Sequence, residues 1–122
     1  MEWIPPSELY GVSVDALGNA YTVGKIYGTY QVNFGNEVTA TGGSSNIYGN
    51  LVIAKFNSLG VAQWANTASP APNVSVFHGV SADSSSNVYA VGHIGGQFGF
   101  GNEVTVTSYG SQVGVVIVKY RP

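Results

Sequence analysis

The sequence predicts an all-β protein made of two copies of one four-stranded antiparallel unit. Three observations carry that prediction. Charged residues fill only 8% of the 122 positions, against about 25% in an average soluble domain, and Gly, Ser, Thr, Asn and Tyr stand in their place. Glycine and asparagine supply the positive φ of tight turns, while Thr and Tyr suit a pleated face. The chain also repeats itself once, and no window of it holds a helical period.

The repeat is read in three ordered blocks. Residues 11–24, GVSVDALGNAYTVG, return as residues 79–92, GVSADSSSNVYAVG, at an offset of 68. The hexapeptide FGNEVT at 34–39 returns letter for letter at 100–105, offset 66, and VIAKF at 52–56 returns as VIVKY at 116–120, offset 64. The second copy therefore has two shorter connections, both in Gly-rich stretches. Within the first copy, Gly11 to Asp15 is small and apolar and reads as a strand, ended by a turn over 16–19. Ala20 to Ile26 alternates Tyr21, Val23 and Lys25 with Ala20, Thr22 and Gly24, the period of a second strand. The excursion from Tyr27 to Asn50 is expected to hold a small hairpin. Leu51 to Phe56 is a continuous apolar run broken only by Lys55, as in a strand buried on both faces, and Val61 to Asn66, carrying Trp64, reads as the fourth strand.

Four consecutive antiparallel strands, repeated radially, make the blade of a β-propeller. The residues also resemble the bacterial β-propeller repeat of the SBBP, seven-bladed type. The matching positions are Asp15, Gly18, Asn19, Tyr21, Gly24, Phe34, Gly35, Ala54, Lys55, Phe56, Gly60 and Trp64. In the second copy they are Asp83, Asn87, Tyr89, Gly92, Phe100, Gly101, Lys119 and Tyr120. The resemblance covers nearly the whole chain; it implies the propeller fold and a bacterial secreted or cell-surface setting, and no chemistry. Ser86 stands where the turn glycine is expected, a departure tolerable if that residue avoids the left-handed region.

The copies are offset against the termini. The second copy stops after its third strand, while residues 1–4 match residues 62–65, so Trp3 corresponds to Trp64. The expected order is an outer strand within 1–8, a complete blade over 9–68, and three strands of a second blade over 69–122. An uncovered third strand exposes free N–H and C=O groups, and two blades cannot curve far enough to close on themselves. The expected partner is therefore the protein itself, with Trp3 and Ile4 of one copy pairing with the strand of Val116, Val118 and Tyr120 of the next. Three or four chains would close a ring of six or eight blades. An excised or engineered origin is expected from the displaced strand directly after Met1.

Several function classes fall away. Four Lys and Arg cannot build a phosphate-neutralising face, so no nucleic-acid partner is expected, and no run of about 18 apolar residues spans a membrane. No signal peptide and no cofactor are expected, and without cysteine there is no thiol chemistry. Positions alike in both copies read as structural. Asp15 with Asn19, and Asp83 with Asn87, offer two oxygens where Ca²⁺ wants six to eight; a turn-stabilising Asp with a left-handed Asn accounts for them. Trp3 and Trp64 read as packing rather than sugar platforms, Lys55 and Lys119 as snorkelling contacts. Glu37 and Glu103, a tempting glycosidase pair, are one position in two copies.

Positions that differ between copies say more. Tyr10 corresponds to His78 and Lys25 to His93, and all four are expected on one rim near the axis, joined by Tyr27, Tyr30, Tyr48 and Tyr109 from the excursions. Aromatic rings with neutral polar groups suit glycans, so a lectin-like module is the alternative to a non-catalytic self-assembling scaffold. Two histidines fall short of a Zn²⁺ ligand set. Ser81, His78 and Asp83 supply triad residue types without a nucleophile elbow. An N-glycosylation sequon begins at Asn73.

Overall fold

A computed structural model describes residues 7–42, 49–68, 75–95, 97–99, 105–107 and 113–120. The period-two alternation becomes strand β2 (Ala20–Ile26), with Tyr21, Val23 and Ile26 fully buried. It pairs antiparallel with β1 (Ser7–Val14) on one edge and β5 (Asn50–Phe56) on the other, and β6 (Ala62–Thr67) closes the sheet in the order β1-β2-β5-β6. β1 begins at Ser7, four residues ahead of the expected Gly11, because a bulge at Tyr10 lets the pairing run on past it. The apolar run of β5 is buried as expected over residues 50–54.

Between β2 and β5 the chain makes the hairpin β3 (Gln31–Gly35) and β4 (Val38–Thr41). Asn36 and Glu37 both take positive φ, 53° and 62°, the backbone of a tight hairpin turn that follows strand twist. The Asn36 amide donates to the Ala62 carbonyl at 2.9 Å and ties the turn to β6. In the first copy the hexapeptide is thus turn chemistry, and Glu37 is exposed there; Glu103 lies outside the described residues.

The second copy gives β7 (Ser75–Ala82), β8 (Val88–Gly95) and β11 (Val113–Tyr120), paired in the order β11-β8-β7, with β9 (Gln97–Gly99) and β10 (Thr105–Thr107) paired between them. Its bulge falls at His78, the position of Tyr10. Among the described residues no strand lies on the outer edge of β11, whereas its counterpart β5 is covered by β6.

The core lies between the two sheets. Tyr21, Val23, Leu51 and Ile53 of the first meet Phe77, Val88, Ala90, Val116 and Val118 of the second. Trp64 packs beside Tyr21 and Tyr120, ring centres 6.2 and 6.1 Å away, so its role here is packing across the sheets. A smaller cluster of Ile26, Ala40 and Val52 lies under the β3–β4 hairpin on the first sheet's far face, with Val32, Phe34 and Ala65 against it.

The turn expectation needs correcting. Asp15 does order its turn: its carboxylate accepts from Leu17 N at 2.9 Å, Asn19 N at 3.0 Å and the Asn19 amide at 3.1 Å. Asp83 repeats the pattern with Ser85 N and Asn87. The left-handed residues, however, are Gly18 (φ 84°) and Ser86 (φ 64°), not Asn19 and Asn87. Asparagine serves through its side chain, one residue later. Ser86 thus occupies the conformation it was expected to avoid, and its hydroxyl hydrogen-bonds the Asp15 carboxylate of the other sheet.

Candidate functional site

The two bulges aim the residues that differ between copies. In each bulge the strand before the extra residue swings against a glycine of its neighbour. A Cβ on Gly24 would collide with the Glu8 carbonyl, and one on Gly92 with the Val76 carbonyl. Glycine is required at both positions by that approach. The extra residues, Tyr10 and His78, then meet where β1 packs beside β7, with ring centres 5.7 Å apart.

From that meeting point a row of polar and aromatic groups runs outward. His78 Nε2 lies 3.2 Å from His93 Nδ1, and the rings are 5.0 Å apart, so one imidazole donates to the other. On the first sheet Glu8 is paired in register with Lys25. Its carboxylate accepts from the Tyr10 hydroxyl and, at 3.2 Å, from the Tyr27 hydroxyl. Lys25 Nζ lies over the Tyr27 ring, 4.7 Å from its centre, a cation–π contact.

These contacts set the charges. The Tyr10 hydroxyl, with lesser help from Tyr27 and Lys25, holds the Glu8 carboxyl below its ordinary range against the pull of burial. Burial, and then its bond to Glu8, pushes the Tyr10 phenol up. Burial works to lower the Lys25 ammonium but is outweighed by Tyr27 and the neighbouring negative groups, so it titrates above its usual value. His93 is pushed down by burial, then by His78 and Lys25. At neutral pH the row therefore holds the Glu8 carboxylate, the Lys25 ammonium, the Tyr10 phenol and a neutral His93.

Of the residues expected on this rim, Tyr10, His78, Lys25, His93 and Tyr27 come together. Tyr30 stands outside the row, its side chain exposed on the turn before β3. Tyr48 and Tyr109 lie outside the described residues. Glu8 was missed, although it too differs from its counterpart, Val76. Of the assembly residues, Val116 and Val118 point into the core, and Tyr120 is half-buried between Trp64 and Phe77. Trp3 and Ile4 lie outside the described residues.

As chemistry, the row offers hydrogen bonding and stacking. Both phenols already serve Glu8, and Asp83 is held by its own turn. Among the described residues no group of three or more His, Asp or Glu could hold a metal ion. Ser75 of the sequon is buried, donating to Asn50 Oδ1 at 3.1 Å and accepting from Leu51 N at 2.9 Å. No helix among the described residues is long and apolar enough to cross a membrane. Lys55 and Lys119 lie over Tyr21 and Tyr89, 5.7 and 5.9 Å from the ring centres. No family model matches the chain, and no curated protein matches it.

Proposed function

We propose that the protein is a non-catalytic, self-assembling scaffold or interaction module of the β-propeller type, its two sheets being successive blades. The observation that carries this reading is that, among the described residues, no strand lies on the outer edge of β11, whereas its counterpart in the first sheet, β5, is covered by β6. An uncovered edge between well-paired strands is a template for another chain, and residues 1–4 carry the same pattern as the start of β6. The strand around Trp3 of one copy then completes the second sheet of the next, giving rings of three or four chains.

Light scattering at micromolar concentration tests it: a mass of three or four chains is expected. Trp3→Ala should yield smaller or aggregated species, with a loss of about 3–5 kcal/mol per junction for a buried Trp. A single-chain mass would sink the reading.

A second reading has its own observation, the exposed aromatic row at Tyr10 and His78. Rings beside polar groups stack on sugar C–H faces while the polar groups bond hydroxyls. A glycan array probed with the protein and with Tyr10→Ala and Tyr27→Ala decides it. Binding lost in the variants supports a lectin-like module; an array without binding removes it.

A further inference from the structure

Equivalent residues of the two sheets have very different exposures, and the difference has a direction. On the face that the first sheet turns to the second, Leu51, Ile53, Tyr21 and Val23 are all 0% exposed. Their counterparts Val115, Ile117, Tyr89 and Val91, on the second sheet's far face, are 88, 72, 39 and 41% exposed. The opposite holds for the other face. Phe77 is 0% exposed against the first sheet, with Val80 and Ala82 packed beside it. Their counterparts Leu9, Val12 and Val14, on the first sheet's far face, are 52, 67 and 59% exposed.

The molecule therefore shows one apolar surface at each end, and the junction between its sheets already displays how two such surfaces fit. Contiguous exposed apolar side chains of this kind mark an interaction site. Their complement is known from inside the chain: the face of Leu9, Val12 and Val14 is what the face of Val115 and Ile117 lacks.

We infer that the far face of the second sheet docks on the far face of β1 in a second copy, in the register of the internal junction. The contact is heterologous, one surface against a different one, and so repeats from copy to copy. It rests on the reading that copies associate but not on how the β11 edge is filled. The register makes a specific demand. Inside the chain, Ala82 N donates to Ser13 Oγ at 3.1 Å. Between copies the same contact falls to Val14 of one and Ser81 of the other.

Two variants test this in the full chain, which has no cysteine of its own. In Val14→Cys/Ser81→Cys the two thiols lie on opposite far faces, so mild oxidation should give interchain disulfides and a ladder on a non-reducing gel. Ser13→Cys/Ala82→Cys is the reference, closing within one chain. Val115→Asp/Ile117→Asp reads the same surface without disulfide geometry. It places charges at positions open to water in the single chain, so folding by circular dichroism should persist while the mass falls to one chain. Association without the 14–81 ladder, or an unchanged mass in the Asp variant, overturns the docking and leaves edge completion standing. A parent protein that is itself a single chain overturns both.

Discussion

The two sheets carry nearly the same strands in unequal surroundings. The first is flanked by the second sheet on one face and by the β3–β4 hairpin on much of the other, so its β5 is buried over residues 50–54. The second offers β11 with Val115 and Ile117 open to water. Strand pattern thus belongs to the repeat, while burial belongs to a sheet's position in the molecule. An apolar residue kept in both copies but buried in only one is what the proposed docking of copies would cover.

The two sheets should differ most at Ile53 and Ile117. Ile53→Ala should cost about 4 kcal/mol in urea unfolding, the loss for a fully buried aliphatic side chain. Ile117→Ala should cost within about 0.5 kcal/mol in an isolated chain, as exposed substitutions do, and several times that wherever copies stack. Measuring both variants over a range of protein concentration separates the cases.

Next come the turn aspartates. Asp15→Ala removes the acceptor of two backbone amides, of Asn19 and of the Tyr21 hydroxyl at 3.1 Å, and should cost about 3 kcal/mol. Asp83→Ala, exposed and, among the described residues, hydrogen-bonded only within its own turn, should lose less. Burial acts to raise the Asp15 carboxyl, but bonds from Asn19, Ser86 and Leu17 outweigh it and hold it far below the ordinary value. The folded form thus binds fewer protons than the unfolded chain. Its contribution is complete above about pH 4 and is lost as pH falls below that. Asp15→Asn should flatten this acid limb in a pH series of unfolding midpoints.

Lys25 and His93 are one repeat position with opposite shifts. With the folded His93 depressed, its share of stability falls as pH drops below about 6.5, where the unfolded imidazole takes up its proton. An NMR titration should place its midpoint below 6.5, and His78→Ala should move it back upward. Burial and Lys25 keep part of the shift.

The smallest effect belongs to the left-handed turn residues. Ser86→Gly relieves a strained φ but loses the hydroxyl on Asp15, for a net change within about 1 kcal/mol. Gly18→Ser gains no such partner and sets its Cβ 3.1 Å from Ser58 Cβ, so it should lose about 1–2 kcal/mol in thermal unfolding.

The strands were legible because repetition and period two locate them without tertiary knowledge; β2 falls on the expected residues 20–26. The hairpin was legible only as an excursion long enough to hold one. Tyr10, Lys25, His78 and His93 were legible as a group because divergence between otherwise matching copies singles them out. Glu8 was not, since it lies before the block that aligned, on the far side of a bulge that no periodicity announces. The left-handed Ser86 was hidden for another reason. Its strain is offset by a hydroxyl bond to the other sheet, and a repeat read along the chain says nothing about contacts across it.

The buried amide of Asn50 donates to the carbonyls of Gly42 and Ala68, both at 2.9 Å, and its oxygen accepts from Ser75 of the second sheet. At a joint between copies the corresponding pair would be Gly114 and Ser7, and Gly18 would face Asp83 where Ser86 faces Asp15. Both polar locks are confined to the interior of one polypeptide. Under tension or dilute denaturant a multi-chain assembly should therefore part at the seams between polypeptides first, releasing intact two-sheet bricks rather than halves.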